Sequence, residues 1–202
     1  MLLTTFQVDA LTELINIGVG RAAGVLNEML MAHVSLQVPS IRLIVKSNLQ
    51  QEITELFNMS TSIVRMEFRG PFSGIASLVF PADSAANLIG LLIGEMDLPP
   101  DMDSLRIGAL TEVGNIVLNG VMGSLANILR THVDYSIPIY QDNNLYRMII
   151  SDDTSTGPII LLARTRFKIE AQLIEGDIVL VFEVGSFESL ISELTTSLDI
   201  TL

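Results

Sequence analysis

A carboxylate and an amide, three positions apart, occur twice in this chain of 202 residues. Glu13 and Asn16 form the first pair. Glu112 and Asn115 form the second, each 99 positions after its counterpart. A carboxylate can bind a cation on another molecule, and an amide both donates and accepts hydrogen bonds, so it can hold a water in a chosen orientation. The two pairs are therefore candidates for sites that bind a partner and position a water.

The chemistry that these pairs lack is equally informative. Neither stretch places a nucleophile beside a base or gathers enough carboxylates for a metal cage. The sequence has no cysteine, which excludes thiolate ligands and cysteine nucleophiles. Its two histidines, His33 and His132, follow long helical stretches, where a capping or packing role is favoured over catalysis. We therefore expect no metal site and no cofactor in this chain, and a catalytic role requires a partner that brings the electrophile and the metal.

The pairs belong to a longer repeat. Residues 10–39 align with residues 109–138 without gaps, and 12 of the 30 positions are identical. A proline recurs at the same distance downstream, as Pro39 and Pro138. A shared helical core explains the matched apolar residues. It does not explain the matched polar pair, so the repetition argues against these being ordinary exposed residues of an amphipathic helix.

A third acidic residue extends the first pair. On a helix, positions i, i+3, i+4 and i+7 share one face, so Asp9 joins Glu13 and Asn16 in one polar stripe. In the second copy glycine, Gly108, stands where Asp9 stands in the first. Asp9 is therefore a candidate for contact with a partner, or for steadying the stripe, at the first site alone.

Glycines are frequent in both repeat helices, although each costs about 1 kcal/mol relative to alanine in a helix interior. That cost indicates a close approach of backbone, either between the two helices or by a docked partner, and helix packing is the favoured explanation. The glycines are Gly18, Gly20, Gly24, Gly114, Gly120 and Gly123.

Apolar periodicity predicts the elements that hold the pairs. Helical spacing covers residues 5–32 and about 104–131, and Thr4 or Thr5 is the expected first N-cap. Strand-like patterns and shorter helices fill the rest of each half. The predicted strands are residues 34–46, 62–69, 75–80, 133–140, 148–151, 159–166 and 178–182, and the predicted shorter helices are residues 48–57, 83–93 and 187–198.

The order helix, strands, helix in each half predicts an α+β fold with pseudo-twofold symmetry, in which a mainly antiparallel sheet carries the two long helices on one face. We predict one domain over residues 1–202, made of half-repeats of about 1–99 and 100–202. In the later strands the distance between matching residues rises from 99 to 102 positions, as between Gly74 and Gly176.

Composition limits the partners and the location. Apolar residues make up 49% of the chain and charged residues 17%, which suits a large buried core. The net charge of −12 argues against nucleic acid as a partner. The longest charge-free stretch, residues 113–129, contains three asparagines and is too short to cross a membrane. The first residues do not resemble a signal peptide, so we expect a cytoplasmic protein without a membrane-inserted segment.

The pattern Asp/Ser-x3-Glu-x2-Asn-x22-Pro resembles the signature of the CheC, CheX and FliY chemotaxis phosphatases. Asp9, Glu13, Asn16 and Pro39 match it at the correct gaps. The second copy matches except at Gly108. The residues around both pairs, and the presence of two copies in one chain, are similar to CheC in particular.

By position, the resemblance implies a phosphatase that acts on phosphorylated CheY-type response regulators. Asn16 and Asn115 would orient the water that attacks the aspartyl phosphate in line. Glu13 and Glu112 would pair with the active-site lysine of the regulator. The Mg²⁺ would belong to the regulator. Positioning the water and the regulator suffices in principle, because positioning dominates the catalysis of phosphoryl transfer.

The resemblance also leaves an alternative of another class. Many CheC proteins bind CheD, a receptor deamidase, and related folds such as the FliM middle domain serve as binding modules without the Glu-x2-Asn pair. The chain could accordingly be a non-catalytic adaptor for CheD or for a response regulator. The retained Asn16 and Asn115 argue against this alternative, and a turnover assay separates the two.

Overall fold

The two repeat helices form as the periodicity predicts. The computed structural model of the protein describes residues 4–56, 61–93, 103–142 and 159–183. Helix α1 spans Thr5–Leu30 and helix α4 spans Asp103–Ile128. Thr4 is the N-cap of α1, because its hydroxyl accepts a hydrogen bond from the Gln7 amide while the Gln7 side chain accepts one from the Thr4 amide. The predicted cap is therefore confirmed at Thr4.

Both long helices end in the same unusual way. Met31 follows α1 with φ 48°, and Arg130 follows α4 with φ 52°. Both are in the left-handed region, which is the common termination of a helix but is usually occupied by glycine. The two residues lie 99 positions apart, so the repeat extends to the backbone of the helix ends.

Helices α1 and α4 pack side by side and run antiparallel. A Cβ added to Gly18 would lie 3.2 Å from Leu125 Cδ2 and 3.3 Å from the Val121 carbonyl oxygen. Ala22 lies four residues after Gly18 in α1. It contacts Gly120, which lies before Val121 and Leu125 in α4. Contacts that advance along α1 thus retreat along α4, as expected for an antiparallel pair.

The prolines of the repeat interrupt both strands that were expected to be continuous. The stretch 34–46 forms two strands separated at residues 37–39, and the stretch 133–140 forms two strands separated at residues 136–138. A proline has no amide hydrogen to donate to a ladder, so Pro39 and Pro138 end the pairing at equivalent points. The predicted strands 159–166 and 178–182 are longer in the structure, and the predicted strand 148–151 and helix 187–198 lie outside the described residues. The strands are β1 Ser35–Leu36, β2 Ser40–Val45, β3 Thr61–Arg69, β4 Gly74–Pro81, β5 Asp134–Tyr135, β6 Ile139–Asp142, β7 Ile159–Ile169 and β8 Ile174–Glu183, and the remaining α-helices are α2 Leu49–Leu56 and α3 Ala82–Ile93.

The eight described strands form one antiparallel sheet to which both halves contribute. The order is β1-β7-β8-β4-β3-β5, with β2 also paired to β7 and β6 also paired to β3. The first two strands of each half therefore pair with a strand of the other half: β1 and β2 lie on β7, and β5 and β6 lie on β3. Each half supplies the edge of the sheet of the other.

The strands alternate between two cores. On β8, Ile178 and Leu180 belong to the larger core, which α1, α3 and α4 cover. Val179 and Val181 belong to a smaller core on the opposite face, which α2 covers through Leu49. This alternation places both long helices on one face of the sheet, as predicted.

The drift in offset also has a structural counterpart. Gly74 pairs with Phe68 across β3 and β4, and Gly176 pairs with Phe167 across β7 and β8. A Cβ on Gly74 would lie 2.8 Å from Phe68 Cζ, and one on Gly176 would lie 2.6 Å from Phe167 Cζ. In each half a phenylalanine ring therefore covers a glycine of the neighbouring strand. At Gly176 an alanine would require the ring to shift, and at Gly74 it would also collide with the backbone carbonyl oxygen of Val181.

Candidate functional site

The two Glu–Asn pairs lie at the solvent-facing surface of the long helices. Glu13 and Glu112 are exposed, whereas Asn16 and Asn115 are half-buried. Leu14, which follows Glu13 in the chain, is buried at 3% exposure. The helical period therefore directs the polar residues outwards while their neighbours build the core. Both carboxylates are therefore open to solvent, and both amides lie half-buried at the helix surface.

The residues one turn before the glutamates differ between the sites. Asp9 is exposed and adds a second carboxylate to the stripe on α1. Gly108 is also exposed, and a Cβ there would find no heavy atom within 4 Å. The stripe on α4 thus has open space where the stripe on α1 has a charged side chain.

The pairs form two separate sites. The contacts of Gly18 with Val121 and of Ala22 with Gly120 place the midpoint of the helix pair about five residues beyond each asparagine. Because the helices are antiparallel, Asn16 and Asn115 lie on opposite sides of that midpoint. With a rise of 1.5 Å per residue, they are about 15 Å apart along the helix axis.

Only some of the helix glycines are explained by packing. Gly18 lies against α4, and a Cβ on Gly114 would meet Val64 Cβ at 2.7 Å. Gly120 is only in ordinary contact with Ala22, at 3.6 Å. At the remaining three glycines an added Cβ would have no heavy atom within 4 Å, so packing does not explain them. These are Gly20, Gly24 and Gly123.

One polar contact within the second site was not foreseen from the sequence. Asn119 Nδ2 donates to Asn115 Oδ1 at 2.6 Å and to the Asn115 carbonyl oxygen at 2.8 Å. The equivalent residue of the first site is Gly20, which has no side chain. The spacing of four between the asparagines is a usable signal, because residues i and i+4 are neighbours on a helix.

The histidines do not pack into the core. His33 is exposed, and the His132 side chain is 89% exposed. His132 Nε2 lies 3.2 Å from Asp134 Oδ1. The packing role is therefore wrong for both histidines, whose side chains face solvent although the next residues, Val34 and Val133, are buried. The capping role stays a prediction.

A concave pocket lies beside the second site but does not include it. Its volume is about 240 Å³, and it lies between α3 and the start of α4, with Arg106 and Ile107 in its wall. Ser62 Oγ and Tyr140 Oη, 3.1 Å apart, form another part of its lining. The Glu–Asn pairs instead occupy convex helix surfaces, which suit a macromolecular partner better than a small molecule, since small-molecule sites are concave.

Within the described ranges, no group of three or more histidine, aspartate and glutamate side chains could hold a metal ion. The expectation that the chain has no cofactor of its own stays a prediction. None of the helices in the same part of the chain combines the length and the apolar character needed to cross a bilayer.

The proteins similar to this chain in sequence include two phosphatases, although no protein-family model matches the chain. The chain is 23% identical over 201 residues to the flagellar motor switch phosphatase FliY of Bacillus subtilis, covering 96% of this chain and 51% of FliY. It is 27% identical over 140 residues to the CheY-P phosphatase CheC of the same organism, covering 65% of this chain and 64% of CheC. The chain thus spans about half the length of the first relative and less than two thirds of the second.

Comparison by structure identifies the same fold in three kinds of protein. Thermotoga maritima FliY superposes with a TM-score of 0.76 at 20% identity, covering 98% of this chain and all of that one. FliM in a FliG–FliM complex from H. pylori gives 0.67 at 12% identity, covering 94% and 100%. CheX in a CheX–CheY–BeF3–Mg²⁺ complex from Borrelia burgdorferi gives 0.54 at 19% identity, covering 84% and 97%. The α+β fold with its antiparallel sheet and long helices is therefore common to all three.

Proposed function

We propose that this chain, which is similar in sequence to FliY and CheC and in fold to FliY and CheX, hydrolyses the aspartyl phosphate of a CheY-type response regulator. The observation that carries the proposal is the repeated Glu–Asn pair. Each pair presents an exposed carboxylate and a half-buried amide on a convex helix surface. Such a surface can enter the active site of a partner protein.

Two comparisons support the choice of partner. The CheC relative is named as a phosphatase of phosphorylated CheY. A structural neighbour, CheX, was solved in complex with CheY, BeF3 and Mg²⁺. A CheY-type regulator is therefore the partner against which this chain is to be tested first.

In the proposed mechanism the carboxylate and the amide divide the work. Glu13 or Glu112 binds the active-site lysine of the regulator and thereby fixes the orientation of the helix. Asn16 or Asn115 then holds a water in line with the phosphorus–oxygen bond of the aspartyl phosphate. As the water oxygen bonds to phosphorus, the bond to the aspartyl oxygen breaks and the regulator recovers a free carboxylate.

This division of labour agrees with the energetics of phosphoryl transfer. Catalysis of that reaction rests on positioning and on electrostatic stabilisation rather than on covalent chemistry by the enzyme. One well-placed amide can therefore produce a large effect. The Mg²⁺ that neutralises the phosphate oxygens is assigned to the regulator, so this chain needs no metal of its own.

The test is the double substitution Asn16→Ala with Asn115→Ala. Loss of both amides is expected to abolish the acceleration of phosphate release from a phosphorylated CheY-type regulator. The circular dichroism spectrum and the melting temperature should stay unchanged, because both side chains lie at the surface. Asn48→Ala is a suitable control, since Asn48 is exposed and immediately precedes α2, on the opposite face of the sheet. Full activity in the double variant would refute the mechanism.

The alternative is a non-catalytic adaptor that binds CheD or a response regulator. It is favoured by the structural likeness to FliM, which was solved in a complex with FliG. The same assay distinguishes the two functions. An adaptor would bind the phosphorylated regulator, or CheD, at the helix surface without shortening the lifetime of the phosphate.

A further inference from the structure

The two Glu–Asn pairs are equivalent in sequence, but their amides have different neighbours. Asn115 Oδ1 accepts a hydrogen bond of 2.6 Å from Asn119 Nδ2, which also donates to the Asn115 backbone carbonyl at 2.8 Å. At the first site the residue four positions after Asn16 is Gly20, and the space around it is open to 4 Å. The side chain of Asn115 is thus tied to its own helix by a contact that α1 cannot make.

The atom that accepts this hydrogen bond, Asn115 Oδ1, is the atom that the proposed reaction uses. The carbonyl oxygen is the only acceptor in an asparagine side chain. A water that attacks phosphorus must direct a lone pair towards it, so its hydrogens point towards acceptors. Asn119 takes one of the two lone pairs of Asn115 Oδ1 and fixes the rotation of that amide.

We propose that Asn119 is a positioning residue that restrains Asn115 and lowers turnover at the second site. The inference rests on the proposed phosphatase function. To orient the attacking water, the Asn115 amide has to leave Asn119 or accept the water with poorer geometry. Asn16, beside Gly20, has no such contact to exchange.

The expected effect is that of one hydrogen bond between neutral groups. Exchange of such a bond changes a rate on the order of two- to tenfold. The change should appear in kcat, since the contact is internal to the chain and competes with water orientation. It should not appear in KM, because Glu112, which docks the regulator, keeps its environment.

The experiment isolates each site and then exchanges the neighbour of its amide. Asn16→Ala leaves only the second site, and Asn119→Ala in that background should raise kcat about two- to tenfold. Asn115→Ala leaves only the first site, and Gly20→Asn in that background should lower kcat by a similar factor. Gly20→Ala in the same background is the matched control, because it adds a Cβ without an amide.

The outcomes are distinguishable from failure of the proposed function. Wild-type protein that does not accelerate phosphate loss overturns the phosphatase function and this inference together. Wild-type acceleration with an unchanged or lower kcat for Asn119→Ala in the Asn16→Ala background overturns this inference alone. A change confined to KM also overturns it, because Asn119 would then be acting on docking rather than through Asn115.

Discussion

Asp9 and Gly108 occupy equivalent positions one turn before the two glutamates, and both are exposed. At the first site, Asp9 can contact the regulator or steady the polar stripe, whereas Gly108 has no side chain for either role. Gly108 also weakens the first turns of α4, by about 1 kcal/mol relative to alanine. At the scale of single residues, the first site is therefore the better equipped of the two.

We predict that Asn16→Ala removes more phosphatase activity than Asn115→Ala. A difference of about 1 kcal/mol in a barrier changes a rate several-fold, and this is the expected ratio between the residual rates of the two variants. The measurement is the initial rate of phosphate release at limiting regulator. A larger loss in the Asn115→Ala variant would show that the role given to Asp9 is wrong.

The substitution Asp9→Ala separates this effect from that of Asn119. With only the first site active, loss of Asp9 is expected to raise KM, since its carboxylate is assigned to docking. The exchange at Asn119 is expected to change kcat. The sequence indicated Asp9 by its place one turn before Glu13 and by a family signature, whereas the contact between Asn119 and Asn115 was found only in the structure.

At the scale of the elements, the two long helices rest differently on the sheet. Gly114 lets α4 approach β3 closely at Val64, whereas the equivalent residue of α1 is the buried Ile15. The equivalent of Val64 in the other half is Ala163, in β7. In the second-half helix, the small Gly114 is thus matched with the large Val64 of a strand. In the first-half helix, the large Ile15 is matched with the small Ala163.

Gly114→Ala is expected to destabilise the protein by about 1–3 kcal/mol, the usual cost of overpacking a core. A new Cβ would lie 2.7 Å from Val64 Cβ, so β3 or α4 has to move. Gly123→Ala is the control in the same helix, where the added methyl group meets open space and should stabilise by up to about 1 kcal/mol. Urea unfolding of both variants provides the measurement, and equal stabilities would contradict the packing argument.

Local patterns predicted these helices well because their period is set by neighbouring residues. Residues 5–32 and 104–131 were expected to be helical, and the helices span Thr5–Leu30 and Asp103–Ile128. The two strand breaks were missed, because Pro39 interrupts a ladder only once the strand has a partner. A periodic pattern contains no information about that partner.

At the scale of the whole molecule, the two halves are interleaved through their edge strands. The repeat revealed which elements are equivalent but could not reveal that β1 and β2 pair with β7 of the other half. Pairing across halves depends on the path of the chain in three dimensions. The sequence therefore predicted the symmetry and the class of the fold but not the exchange of strands.

Residues 1–99 alone are expected not to form a folded monomer. Strands β1 and β2 would have no β7 to pair with, and β3 would lack β5 and β6. Light scattering with circular dichroism should find this fragment either unfolded or associated with a second copy, whose β3 is the equivalent of β7. Mixing with residues 100–202 should restore the sheet. A cooperatively unfolding monomer of residues 1–99 would contradict the interleaved arrangement.

The exchange of edge strands also bears on how such a chain can arise. A single ancestral half would obtain its edge strands from a second copy, so the ancestor implied by this topology is a symmetric dimer. Joining two copies end to end would preserve every strand pairing. Fusion would then free each copy to change independently. A dimer of identical chains could never acquire differences between its two sites. This chain has two such differences, Asp9 in place of Gly108 and Gly20 in place of Asn119.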